Sequence, residues 1–125
     1  MIKTAENFIE FLDKEDIPYE YYEYKDDDVV ELSYPTQNVE IELSFFFSKN
    51  YDVQVRCFSI CNVPDNKIEE MYEILNELNC EYRWVTFFID EDNDVNVKGD
   101  IFRITDNTAS SICIDFAFRI MSIIN

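Results

Sequence analysis

The sequence predicts one α+β domain over residues 1–125, with its elements in the order α-β-β-β-α-β-β-α. Two observations carry this prediction. Segments whose apolar residues recur every three or four positions alternate with segments whose apolar residues recur every second position, and these are the periods of helices and strands. The chain also has the length of one domain, and 47% of its residues are hydrophobic, which is enough for a core without disulfides or metal.

The first predicted helix covers Thr4–Lys14. Thr4 is a suitable N-cap, and the residue before Pro18 is held outside the α region, so the helix ends before that proline. The tyrosine-rich segment from Tyr19 to Tyr24 follows and is predicted to be extended or irregular.

Strands of an antiparallel meander are predicted next, because apolar and polar residues alternate along them. A turn at Lys49 and Asn50 joins the last two of these strands, since asparagine tolerates the positive φ that hairpins require. The predicted strands are Val29–Tyr34, Val39–Phe47 and Asp52–Ile60.

The second helix is predicted to begin at Asp65, as its N-cap, and to end at Asn79, because asparagine often replaces glycine in the left-handed cap. The next strand, Tyr82–Asp90, is apolar on both faces, which is typical of a central strand or one covered on both sides. The returning strand, Val95–Ile104, contains Gly99, the only glycine of the chain. A glycine within a strand indicates a bulge or the close approach of another backbone.

The last predicted helix, Asn107–Ile124, confines its polar residues Ser111, Asp115, Arg119 and Ser122 to one narrow strip. A helix this apolar is either enclosed in the core or supplies an interface, and an interface is favoured here. Trp84 joins the candidates because aromatic residues are enriched at interfaces. The candidate partner-binding residues are Phe116, Phe118, Ile120, Met121, Ile123, Ile124 and Trp84.

The chain carries a formal charge of −17, from 27 acidic and 10 basic residues. Nucleic acids and anionic membrane surfaces require clustered lysine and arginine, so neither is expected as a partner. A protein or peptide partner with a basic surface fits the charge, although the same charge also serves plain solubility. No apolar run reaches the ~20 residues of a membrane span and no signal-peptide core is present, so a cytoplasmic location is expected.

The composition argues against a conventional active site or cofactor site. The chain has no histidine and one glycine, which rules out a catalytic triad with histidine and a glycine-rich phosphate loop within the chain. The cysteines, at positions 57, 61, 80 and 113, lack the paired spacing of zinc ribbons and are predicted to be buried thiols. The sequence therefore predicts no catalytic, metal or cofactor residues, and no enzyme.

The segment Asp90–Asp94 begins like a calcium-binding loop, with acids at its first, third and fifth positions. Val95 then stands where the loop needs glycine, and Ile101 stands where it needs a bidentate glutamate. A solvated hairpin turn that uses Asn93 for a positive φ is the preferred interpretation, with weak cation binding as the alternative.

The order of motifs resembles the YbjN family, whose members are similar in fold to type III secretion chaperones. The resemblance rests on Asn76 and Asn79 in the run Leu-Asn-Glu-Leu-Asn, the aromatic strand after them, the acidic turn, the returning strand and the apolar C-terminal helix. It implies a bacterial protein with a twisted antiparallel sheet backed by helices, often paired as a dimer, and a non-catalytic binding or chaperone-like role. The two asparagines either contact a bound peptide or, as preferred, cap the helix end and the next strand.

The function expected from these observations is a protein-binding or chaperone-like domain that acts as a homodimer. The alternative is an acidic immunity protein that neutralises a basic toxin or enzyme. The two differ in their dependence on salt, because affinity that rests on charge alone falls steeply as salt rises.

Overall fold

The computed structural model describes residues 1–35, 40–101 and 108–124, and for Ile124 the backbone alone. Helices and one antiparallel sheet make up this part of the chain, which confirms the predicted α+β class. A short 3-10 turn, Asp65–Lys67, precedes the second helix. The helices are α1 (Lys3–Lys14), α2 (Ile68–Glu81) and α3 (Ala109–Ile124), and the strands are β1 (Glu20–Tyr24), β2 (Asp27–Pro35), β3 (Glu40–Phe47), β4 (Val53–Asn62), β5 (Thr86–Ile89) and β6 (Asp94–Ile101).

The sheet has six antiparallel strands in the spatial order β1-β2-β3-β4-β6-β5. Strands β2 to β4 form the predicted meander, and β1 extends it at the edge. The chain then passes through α2 to the far edge, forms β5 there, and returns as β6 between β5 and β4. Within the described ranges, no helix is long and apolar enough to cross a membrane.

The helices pack on one face of the sheet, here called the inner face. Phe8 of α1 contacts Phe45 and Phe47 of β3, with ring centroids 5.1 and 5.8 Å away. One fully apolar row of paired residues crosses this face from β2 to β5, and all its members are buried: Leu32, Leu43, Cys57, Val97 and Phe87. The opposite, outer face carries no helix of the described residues.

Gly99 lies directly under α3. A Cβ atom at this position would stand 2.4 Å from Cζ of Phe116 and 2.9 Å from the carbonyl oxygen of Trp84. The prediction of a close approach is therefore confirmed, although the nearest neighbour is an aromatic ring. The β-bulge of the sheet occurs in β4 instead, between Cys57 and Cys61, where Ser59 has φ 55°.

The tyrosine-rich segment, predicted to be extended or irregular, forms the edge strand β1. The strand predicted at Tyr82–Asp90 is shorter, covers Thr86–Ile89, and lies at the opposite edge, so its predicted central position is wrong. The apolar residues on the two faces of this edge strand are explained by different contacts. Phe87 faces the inner core, whereas the ring of Phe88 lies under the ammonium group of Lys98, with Nζ 5.2 Å from the ring centroid.

The predicted helix caps are replaced by other contacts. Helix α1 begins before Thr4, whose hydroxyl is buried without a hydrogen-bond partner. The carboxylate of Asp28 accepts a hydrogen bond from the N–H of Ile2 instead and satisfies the helix start. The carboxylate of Asp65 accepts a hydrogen bond from Asn93 (2.7 Å) and makes no cap, because α2 starts three residues later.

Other boundaries differ by a few residues. Helix α2 continues past Asn79 to Glu81, and the positive φ after β3 occurs at Tyr51 instead of Asn50. Val39, Asn107 and the predicted strand end after Ile101 lie outside the described residues.

The cysteines divide evenly between core and surface. Cys57 and Cys113 are buried as predicted, and burial raises the pKa of the Cys57 thiol to about 12. The prediction is wrong for Cys61 and Cys80, which are exposed.

Candidate partner-binding groove

Helix α3 buries most of its apolar residues within the domain. Phe116 and Ile120 are core residues, so both are removed from the predicted contact surface. Met121 and Ile123 are half-buried, Phe118 is 57% exposed, and the side chain of Ile124 is outside the described atoms. The remaining candidates on α3 are thus Phe118, Met121 and Ile123, beside the exposed Trp84 outside the helix.

Small residues explain how α3 sits so deeply. Ala109, Cys113 and Ala117 follow each other at four-residue intervals and are fully buried, which lets the helix backbone approach its neighbours closely. The hydroxyl of Ser110 donates a hydrogen bond to the carbonyl of Asn7 (2.9 Å) and fixes α3 beside α1. Most of the apolar residues of α3 that suggested an interface are therefore part of the core.

A gap remains between α3 and α2, and it forms an apolar cleft of about 180 Å³. We call it the α2–α3 groove. Its floor is the inner face of the sheet and its walls are the two helices. Its lining residues are Ile60, Cys61, Met71, Ile74, Leu75, Leu78, Phe87, Val95 and Ile123.

Trp84 marks a second hollow along the same side of α3, lined also by Ile112, Phe116 and Arg119. On α3 these residues and Ile123 follow each other at three- and four-residue spacing, so they share one helix side. The guanidinium carbon of Arg119 lies 4.9 Å from the ring centroid of Trp84, and Nε donates to Asp115 at 2.8 Å. Trp84, 40% exposed, is thereby held in place at this second hollow.

The rim of the groove is acidic. Helix α2 contains five glutamates and no lysine or arginine. Glu70 and Glu77 stand four residues before and three residues after Ile74, and Glu81 stands seven residues after it, so all three share the helix side of that isoleucine. Lys67 precedes the helix and pairs with Glu70 at 3.7 Å, between exposed side chains. A negative potential therefore borders the apolar floor.

The sequence reasoning missed α2 as a wall of this groove. Ile74 falls beside the apolar stripe of α2 that packs on the core, and it is 50% exposed. The stripe consists of Ile68, Met71, Leu75 and Leu78. An isoleucine outside the buried stripe of an otherwise acidic helix is the signal that would have identified it. Ile60 and Cys61 were not predictable in the same way, because the bulge at Ser59 turns the end of β4 toward the groove.

Comparison with protein families matches residues 4–120 to the family described as "YbjN: Putative bacterial sensory transduction regulator". The chain belongs to the YbjN family. The crystal structure titled "Crystal structure of YbjN, a putative transcription regulator from E. coli" has the same fold, with a TM-score of 0.65 at 14% sequence identity, covering 96% of this chain and 87% of that one. No curated protein sequence matches the chain.

The paired asparagines of this YbjN-family domain have unequal roles. The side chain of Asn79 accepts a hydrogen bond from the N–H of Phe87 (2.7 Å) and donates one to its carbonyl (3.0 Å), as a neighbouring strand would. This confirms the preferred capping interpretation toward the following strand. Asn76 is exposed on α2.

The acidic turn is organised by its own backbone. The carboxylate of Asp90 accepts hydrogen bonds from the side chain of Asn96 and from the N–H groups of Asp94 and Asp92, and these bonds lower its pKa. Asn93 has φ 64°, as predicted for this turn. Among the described residues of the YbjN-family domain, no cluster of three potential metal-binding side chains occurs.

Proposed function

We propose that this protein is a non-catalytic regulator that binds a segment of another protein in the α2–α3 groove and acts as a homodimer. The observation that carries the proposal is the combination of an apolar floor with a glutamate rim on α2. The family description as a regulator and the absence of histidine from the chain support a binding role over catalysis.

The size of the groove limits its occupant. Pockets for drug-sized molecules usually measure roughly 300–1,000 Å³. A cleft of about 180 Å³ suits an apolar side chain that is presented by a longer segment. The proposed occupant is therefore an amphipathic segment with an apolar anchor.

The charge of the rim selects the residues beside that anchor. Glu70, Glu77 and Glu81 favour lysine or arginine on the bound segment, since opposite charges steer association and fix the binding register. The apolar anchor supplies affinity that does not depend on salt. The likeness to type III secretion chaperones, expected from the sequence, agrees with binding of a segment in this manner.

The homodimer belongs to the same proposal. The groove opens on the helical side of the domain, whereas the outer face of the sheet lies on the opposite side. A dimer formed through the outer face keeps both grooves accessible.

The test uses a synthetic amphipathic helical peptide of leucine and lysine, titrated into the ¹⁵N-labelled protein. We expect amide shifts at Ile74, Leu78 and Ile123 and a saturable dissociation constant. The peptide of leucine and glutamate with the same pattern should not bind, because the rim repels it. Shifts confined to the outer face, or equal binding of the two peptides, would contradict the proposal.

Matched variants on one helix sharpen this test. Ile74→Asp places a carboxylate in the groove and should weaken peptide binding by at least about tenfold. Tyr72→Asp makes the same change at a 56% exposed residue about 200° around the helix, and should leave the affinity unchanged. Equal effects of the two variants would show that charge, and not the groove, controls binding.

The neutralising alternative predicts a different pattern. An immunity protein that acts through its acidic surface needs the glutamates but not the apolar floor. Loss of binding in Glu70→Gln with Glu77→Gln, but none in Ile74→Asp, would favour it. It also predicts loss of most affinity when salt shortens the Debye length from about 10 Å to about 3 Å, whereas anchored binding retains a salt-independent part.

A further inference from the structure

The outer face of the sheet carries one row of charged and polar residues that crosses all six strands. The register pairs Glu20 with Glu31, Glu31 with Ser44, Ser44 with Arg56, Arg56 with Lys98, and Lys98 with Thr86. In spatial order the row reads Glu20, Glu31, Ser44, Arg56, Lys98 and Thr86. Its acidic members thus lie on β1 and β2, and its basic members on β4 and β6.

When a second copy of the row is placed opposite the first in the reverse strand order, the acidic half of each row faces the basic half of the other. We propose that the outer face binds a second copy of this chain, face to face, about a two-fold axis that runs along the strands between β3 and β4. That axis places β2 of one copy opposite β6 of the other. Glu31 of each copy then faces Lys98 of the second copy, and Ser44 faces Arg56.

Neighbouring groups hold three charged side chains of the row, those of Arg56, Glu31 and Lys98, whereas Ser44 is buried. Arg56 is held by the carbonyls of Val55 and Gly99 and by Asp100, with Nη1 3.1 Å from the carboxylate. The carboxylate of Glu31 is hydrogen-bonded to the Tyr22 hydroxyl, which raises the pKa of that tyrosine to about 12. Lys98 lies over the ring of Phe88, and no carboxylate of the described residues pairs with it.

Aromatic residues flank the row and supply apolar area. Tyr22, Tyr24 and Phe46 lie on the acidic half, where the last two rings meet edge to face at 6.3 Å. Phe58 lies on the basic half and is 53% exposed. Aromatic residues are enriched at protein interfaces. A face with five aromatic rings, Phe88 included, and a self-complementary charge row fits a second copy better than it fits solvent.

The proposed Glu31–Lys98 pair is intermolecular by geometry. The two residues are separated by three strand spacings within one sheet, roughly 14 Å, which exceeds the reach of an ion pair. Any recovery produced by exchanging their charges therefore reports contact between copies. This inference rests on the homodimer of the proposed function and identifies the face that forms it.

The test is sedimentation equilibrium of the full chain near physiological ionic strength, where the Debye length of about 8 Å limits the repulsion between two strongly acidic copies. We expect a dimer that is weakened at least about tenfold by Lys98→Glu, and likewise by Glu31→Lys. The double variant, Glu31→Lys with Lys98→Glu, should restore dimerisation, because each new pair again has opposite charges.

The control is Glu10→Lys on the exposed side of α1. It makes the same change of charge as Glu31→Lys and should leave the dimer intact. A dimer that is insensitive to both single variants but dissociated by Phe118→Asp would overturn the outer-face assignment and leave the homodimer standing on α3. A chain that stays monomeric at high concentration would overturn the homodimer itself, while peptide binding to the groove tests the remaining proposal separately.

Discussion

Substitution of Gly99 by alanine tests how α3 is seated on the sheet. The added Cβ would stand 2.4 and 2.7 Å from two ring atoms of Phe116, where carbon atoms normally remain about 3.5 Å apart. The ring must therefore retreat by about 1 Å. The new Cβ cannot move away from the ring instead, because the backbone carbonyl oxygen of Trp84 stands only 2.9 Å from it.

The expected cost follows from these contacts. Overpacking a well-packed core costs roughly 1–3 kcal/mol. Removing a glycine from the unfolded chain returns about 0.4–1 kcal/mol, since alanine has less backbone freedom to lose. The net loss is about 1–2 kcal/mol of unfolding free energy. For a domain of this size it lowers Tm by about 4–8 °C.

The assay is urea denaturation of four proteins: wild type, Gly99→Ala, Phe116→Leu and the double variant. The shorter leucine removes the clashing ring atoms, so the double variant should be more stable than the sum of the single effects by about 1 kcal/mol or more. Additive effects, or a Gly99→Ala protein as stable as wild type, would refute the reasoning that this glycine exists to admit the Phe116 ring.

Two further perturbations address the β5 edge and the acidic turn. Asn79→Ala removes both hydrogen bonds to Phe87 and should lower the free energy of unfolding by about 1–3 kcal/mol. It should also speed hydrogen exchange of the Phe87 amide. The control, Asn76→Ala on the same helix, should do neither. Asp90 has a pKa held below its ordinary value of 3.8, chiefly by Asn96, so its contribution is present above the unfolded pKa and is lost as pH falls through the folded pKa. The stability advantage of wild type over Asp90→Asn in urea should therefore narrow between pH 7 and about pH 3, and a constant difference would contradict this account.

Periodicity identified the half-buried strands, because their apolar and polar residues alternate between a face that packs on the core and a face that is exposed to solvent. The strands around Leu32, Leu43 and Val55 were predicted in this way, with ends that shift by a few residues. The two edge strands were predicted less well, β1 only as an extended or irregular segment and β5 as a strand in a central position. The β1 segment lacks a buried set of its own, and β5 is apolar on both sides although it lies at the edge.

Sheet order explains both failures. A strand such as β5 is short of partners on one side, and here the missing neighbour is replaced by the side chain of Asn79. Nothing in a single sequence distinguishes an edge protected by an amide from a central strand. A single sequence likewise does not distinguish an apolar helix at an interface from one in the core. The apolar residues of α3 suggested an interface, but in the structure its small residues are buried and the helix packs beside α1.

The groove follows from how the helices are fixed. Close contact through Ala109, Cys113 and Ala117, with the bond from Ser110 to Asn7, draws α3 toward α1. The bonds from Asn79 to Phe87 hold α2 over the opposite edge of the sheet. A helical layer anchored at both sides is too narrow to cover a six-stranded sheet, so the floor between α2 and α3 stays open. Because the opening is a consequence of the anchors, loosening α2 by Asn79→Ala should weaken peptide binding even though Asn79 does not line the groove.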